Sequence, residues 1–213
     1  MNQSDNTTSD SPIKSICVFC GSSTGSDPDY THAARALGAL MGKKGITLVY
    51  GGSNIGLMRS IADACLQEGG RVIGVMPKGL IEKEVAYTAL KEFHVVDSMS
   101  IRKEKMALLA DAFIAMPGGI GTMDEIFEVM SWNQLEIIDK PIALLNTKGY
   151  YNHLVQFLDY TVTQKFVRPE HRGNLLVNED PEALVGALLS FRQQKVSSKW
   201  IDDLKADTAG MMK

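Results

Sequence analysis

Ala112-Phe113-Ile114-Ala115-Met116-Pro117-Gly118-Gly119-Ile120-Gly121-Thr122-Met123-Asp124-Glu125 decides how the chain reads. Its first five residues form a short apolar run, the pattern of a parallel strand buried on both faces. Past the turn, Met123, Ile126, Phe127 and Met130 recur at helical spacing. The stretch is therefore a strand, a glycine turn and a helix start. Glycines without a Cβ let a ligand approach the backbone. Free N–H groups at a helix start favour an anion. Two readings of Glu125 stand at this point. Thr122 to Glu125 fits a capping box, with Thr122 as N-cap and Glu125 reaching back to it. Equally, a carboxylate beside a phosphate cradle suits hydrolysis of the sugar bond of a nucleotide.

Outward from this stretch the same alternation repeats. Ser15 to Cys20, Ile46 to Tyr50, Arg71 to Met76, Glu92 to Val96, Lys140 to Leu145 and Asn174 to Val177 read as strands. Helices are expected from about Pro28 to Lys44, Leu57 to Gln67, Ser100 onward, Tyr151 to Lys165 and Pro181 to Gln193, with a loop and a short helical piece over 78–90. No repeat of solenoid period occurs. The fold expected is α/β: a single Rossmann-like, doubly wound parallel sheet with helices on both faces. Right-handed crossovers bring every strand-to-helix loop to one edge. The loops at 21–25, 51–56, 77–84, 97–102 and 117–125 should gather there. The expected organisation is a disordered tail over 1–13, one domain over 14–193, and a partly ordered tail over 194–213 that carries Trp200, Ile201 and Leu204.

Composition narrows the function. A chain of 213 residues with 45% hydrophobic and 22% charged residues is globular rather than disordered. A formal charge of −3 gives no electrostatic case for nucleic acid or an anionic membrane. No apolar run approaches a membrane span, and the N-terminus lacks a signal-peptide pattern. Cys17, Cys20 and Cys65 suit a reducing, cytoplasmic setting. Cys17 and Cys20 lie in one strand and face opposite ways, so they make no metal pair. His32, His94, His153 and His171 have no metal-ligand spacing. There is no P-loop, no G-x-G-x-x-G after the first strand, no acid closing the second strand, and no G-x-S-x-G elbow. Neither a metal nor an organic cofactor is expected.

One pair breaks a local rule. Arg102 and Lys103 fall near the start of a helix, where the dipole disfavours cations. A bound phosphate, or Glu125 across a cleft, would offset that cost.

Taken together these residues resemble the LOG, or "Lonely guy", family, from about Lys14 to Phe191. Its P-G-G-x-G-T-x-x-E motif stands as Pro117 to Glu125, and its arginine-lysine pair as Arg102-Lys103. Its Y-G-G-x-x-x-G-L-M loop stands as Tyr50 to Met58, and its C-G-S-S turn as Cys20 to Ser23. Trp132, Gln134, Lys140-Pro141 and Gly149-Tyr150-Tyr151 add to the likeness. Ser53, Arg59, Ser131 and Glu136 to Asp139 depart from the family's usual residues.

The resemblance implies a phosphoribohydrolase acting in cytokinin biosynthesis on cytokinin riboside 5′-monophosphates, and often on AMP. It also implies a homodimer. It assigns catalysis to Arg102 and Glu125. Substrate binding would fall to Gly21, Ser22, Gly51, Gly52, Ser53, Met58, Glu84, Lys103, Pro117, Gly118, Gly119, Gly121, Thr122 and Asp124. Family members were long labelled lysine decarboxylases, but that reaction needs a Schiff-base lysine. Lys78 and Lys103, the edge lysines, lack the surrounding pattern. The alternative from another class is a non-catalytic nucleotide or cofactor carrier on the same fold. It would need the cradle but not the acid.

Overall fold

The computed structural model describes residues 13–81, 85–192 and 194. The expected tails, apart from Ile13 and Gln194, lie outside these residues, and so does Glu84. Seven strands form one sheet: β1 (Ser15–Phe19), β2 (Thr47–Tyr50), β3 (Val72–Pro77), β4 (Glu92–Val96), β5 (Ala112–Ala115), β6 (Ile142–Leu145) and β7 (Leu175–Asn178). Between and after them run α1 (Pro28–Lys43), α2 (Gly56–Gln67), α3 (Met99–Leu109), α4 (Ile120–Gln134), α5 (Asn152–Thr163), α6 (Pro169–Gly173) and α7 (Pro181–Ser190).

The order across the sheet is β4-β3-β2-β1-β5-β6-β7, and each neighbouring pair is parallel. From β1 the chain winds outward to β4, then returns to place β5 on the other flank of β1. The β1/β5 seam is the switch point, where such sheets open a crevice at their carboxyl edge.

Both faces are covered, because side chains alternate along each strand. Ile16, Val18 and Cys20 point into one core with Leu37 and Met41 of α1, Ile61 of α2 and Leu188 of α7. Cys17 and Phe19 point into the other, with Met106 of α3, Val129 of α4 and Leu158 of α5. The two cysteines thus sit on opposite faces as free, buried thiols. In the second core Phe19 stacks on the fully buried Phe113 at 5.9 Å between ring centroids. Truncating Phe113 to Ala would cost about 3–5 kcal/mol.

Three local expectations are corrected. First, α3 starts at Met99, earlier than Ser100, because the Ser98 hydroxyl accepts from the Ile101 amide and caps it there. Second, the capping box at Thr122 does not form. α4 has already begun at Ile120 behind Gly119, and no side chain caps it. Gly119, in an extended conformation, is the residue before the helix, so Thr122 falls inside the first turn rather than at the cap. Third, α7 stops at Ser190, where Phe191 turns extended. The short helix α6 had no reading in the sequence. Its signal is Pro169 at the first helical position with Glu170 beside it and Arg172 in the last turn.

Candidate active site

At the switch point the exits of β1 and β5 are joined directly. The Gly21 amide donates to the Pro117 carbonyl at 3.1 Å. Leu57 at the start of α2 donates to the Gly21 carbonyl, also at 3.1 Å. Three loops far apart in sequence are thereby fixed to one another. Between them opens a cleft of about 300 Å³.

The cradle is built by the turn into α4. Its carbonyls are all occupied: Met116 by the Tyr151 hydroxyl at 2.6 Å, Pro117 by Gly21, and Gly118 by the Tyr150 hydroxyl at 2.6 Å. Gly119 accepts from Met123 at 3.2 Å, the first bond of the helix. The amides at the helix start have no intrahelical acceptor, as at any helix N-terminus. The residue at the cap, Gly119, has no side chain to supply one. Gly118 is indispensable to this geometry, since a Cβ there would collide with the Thr122 hydroxyl and come within 2.8 Å of the Gly21 nitrogen.

On the other wall Arg102 reaches under the β2 and β3 ends. Its Nε donates to the Val75 carbonyl at 3.0 Å and its Nη2 to the Gly51 carbonyl at 3.2 Å. Its Nη1 lies 3.6 Å from the Glu125 carboxylate and 3.9 Å from Met99 Sδ. A Cβ on Gly51 would overlap the guanidinium, so the close approach needs glycine at this position. Both partners are nearly buried, Arg102 at 6% and Glu125 at 8% exposure, yet both line the cleft. A buried ion pair contributes little net stability, because desolvation offsets the attraction. Its position on a cleft wall is what calls for explanation.

Of the residues singled out from the sequence, Gly21, Ser22, Gly51, Met58, Arg102, Gly119, Gly121, Thr122, Asp124 and Glu125 line the cleft. Pro117 and Gly118 do not line it, and their carbonyls are bonded to Gly21 and Tyr150. Ser53 is wholly buried, pairing as an isolated bridge with Ala86, and does not face the cleft. Gly52 lies against the Phe93 ring and is likewise displaced from it. Lys103 holds Asp124 and Glu128, each at 3.1 Å, and so fastens α3 to α4. The 77–84 loop, as far as it is described, lines no part of the cleft. Met99 and Ile120 were not anticipated. Ile120 is 86% exposed at the cleft mouth, and an apolar residue set between two turn glycines was its only signal.

Cys20 also lines the cleft, but burial, with Glu125 nearby, pushes its thiol well above the ordinary range. It remains protonated and is a poor nucleophile. Among the described residues no group of His, Cys, Asp and Glu is placed to hold a metal ion. No helix among them is long and apolar enough to cross a membrane.

The arrangement offers an anion seat on amides and, one turn along the same helix, a carboxylate braced by a guanidinium. The comparisons point the same way. The family model described as "Possible lysine decarboxylase" matches residues 58–188. Cytokinin riboside 5′-monophosphate phosphoribohydrolase LOG1 of Arabidopsis thaliana is 45% identical over 192 residues, covering 89% of this chain and 90% of its own. The cytokinin riboside 5′-monophosphate phosphoribohydrolase of Rhodococcoides fascians is 40% identical over 178 residues, covering 83% and 90%. Among solved structures, the molybdenum cofactor carrier protein of Chlamydomonas reinhardtii superposes with a TM-score of 0.63 at 23% identity, over 83% of this chain and 98% of its own. That likeness concerns the fold alone. Motif, cleft and extended identity agree, and the chain belongs to the LOG family.

Proposed function

We propose that the protein hydrolyses the N-glycosidic bond of nucleoside 5′-monophosphates, releasing free base and ribose 5-phosphate, with cytokinin riboside 5′-monophosphates and AMP as substrates. The observation that carries this reading is the Glu125–Arg102 pair on the wall of a cleft that also holds the free amides of α4. From Gly121 to Glu125 the helix advances about 6 Å. That is the scale of a ribose with its 5′-ester arm. A phosphate on the Gly119 to Thr122 amides thus brings the anomeric carbon towards the Glu125 carboxylate.

Departure of the base passes through a cation resembling an oxocarbenium ion. Glu125 stabilises that charge and takes a proton from the attacking water. Arg102, anchored on two carbonyls, fixes the orientation of the carboxylate and is placed to meet the leaving base. Asp124, held by Lys103, is suited to the ribose hydroxyls. Ser22 adds a hydroxyl on the phosphate side.

Lysine decarboxylation fits these residues poorly. No lysine lines the cleft among the described residues, Lys78 is engaged by Asp97 at 2.8 Å, and Lys103 is held by two acids. A carrier role would require the amide seat but no acid beside it. We further propose a cytoplasmic homodimer, in keeping with the exposed apolar residues Leu108, Leu135, Ile137 and Phe166.

The test is incubation with AMP and with isopentenyladenosine 5′-monophosphate, followed by chromatography. Release of base and ribose 5-phosphate supports hydrolysis. Binding without turnover would replace it with the carrier.

A further inference from the structure

We infer that the Tyr150 hydroxyl is a positioning group for the anion seat: it sets the direction of the peptide plane at Gly118 and so aims the amides that follow. The inference rests on the phosphoribohydrolase reading for its substrate, but not for its geometry. A peptide plane that turns its carbonyl one way turns the next amide the other way. With the Gly118 carbonyl held at 2.6 Å by Tyr150, the Gly119 N–H is directed to the opposite side. Flanked by glycines, this plane has little steric hindrance to rotation, so an outside donor is what fixes it.

The surroundings of Tyr150 hold the ring in place. Lys148 (φ 53°) and Gly149 (φ 69°) both take the left-handed conformation, and the chain turns sharply into Tyr150. The turn is fixed at both ends. Lys148 Nζ contacts Asp27 at 2.7 Å and Asp29 at 3.4 Å, and the Asn146 side chain accepts from the Tyr151 amide at 2.7 Å. Tyr30 and Tyr151 pack edge-on against the Tyr150 ring, at 5.8 and 5.0 Å. Tyr150 is nevertheless 42% exposed, so little of the core depends on its hydroxyl. An ordered but non-core ring, donating to the one carbonyl at the root of the seat, acts on orientation rather than on folding.

The test is Tyr150→Phe in the full chain. With one neutral hydrogen bond removed, KM for AMP should rise about fivefold, and competitive inhibition by inorganic phosphate should weaken by the same factor. kcat should stay within twofold and the melting temperature should hold. Tyr30→Leu, which removes a ring bracing Tyr150, should raise KM in the same direction. Combined with Tyr150→Phe, it should add little further. An unchanged KM and phosphate inhibition in Tyr150→Phe would overturn the inference while leaving the hydrolase reading intact. A wild-type protein that turns over no nucleotide would remove the hydrolase reading. Weaker phosphate binding by Tyr150→Phe, measured calorimetrically, would then still support the positioning role, and equal binding would end it.

Discussion

Glu125→Gln and Arg102→Met should separate chemistry from stability, and the structure says in which order. Glutamine keeps the shape of Glu125 and removes its charge and basicity. Its only close approach to the guanidinium is 3.6 Å, longer than a good hydrogen bond, while Arg102 keeps its two carbonyl acceptors at 3.0 and 3.2 Å. Weakening this one contact therefore costs within about 1 kcal/mol. Losing the acid-base group costs roughly 10²–10⁴ in rate. Arg102→Met reverses the balance. It leaves the Gly51 and Val75 carbonyls without their donor and takes the guanidinium away from the buried Glu125, a loss of about 3–5 kcal/mol. For a domain of this size that lowers the melting temperature by about 2–4 °C per kcal/mol. The assay pairs chromatographic release of base from AMP with calorimetric unfolding of each variant. Glu125→Gln that retains turnover within a few-fold would refute the assignment of the carboxylate. Arg102→Met that unfolds like the wild type would refute the account of the buried pair.

Three further outcomes follow from the geometry. Gly118→Ala forces a Cβ against Thr122 and Gly21, so phosphate inhibition of turnover should be lost, and a full-strength phosphate site in this variant would contradict the seat described. His171 is held below its ordinary value of 6.5, chiefly by burial. Below that pH the unfolded chain takes up a proton more readily than the folded one, so stability should decline as pH falls from 6.5 towards the folded value. His171→Gln should flatten that part of a denaturation-versus-pH curve. Burial raises all three thiols, Cys65 to about 11, so iodoacetamide at pH 7.5 should label the native protein slowly and the urea-unfolded protein at three sites, as read by mass spectrometry.

Much of this architecture was legible from periodicity. The strands are short apolar runs bounded by glycine and proline, and the alternation of strand and helix fixed the parallel sheet and the edge on which its loops emerge. The Arg102 signal also carried, since a cation near a helix start demanded an anionic partner and Glu125 lies beside it. Helix starts were less legible. Thr122 satisfied a spacing rule, but the helix begins at Ile120, and a spacing rule carries no information on where the preceding turn ends. Ser53 and Gly52 belonged to a glycine-rich loop, yet only the first glycine of that loop faces the cleft. The bridge from Ser53 to Ala86 that turns the rest inward is a tertiary contact without local trace. The hydroxyls of Tyr150 and Tyr151 act across more than thirty residues, a distance at which sequence spacing says nothing of direction.

The amide-to-carbonyl link between Gly21 and Pro117 has a consequence for assembly. It joins segments separated by most of the first half of the chain, and it forms only when β5 has docked beside β1. A fragment ending before β5 has the residues for the Gly21–Leu57 and Arg102 contacts but lacks the whole α4 wall, with its amide seat and Glu125. Catalytic competence should therefore appear late during refolding, in step with the closing of the central seam, and turnover becomes a direct readout of whether the two halves of the sheet have met.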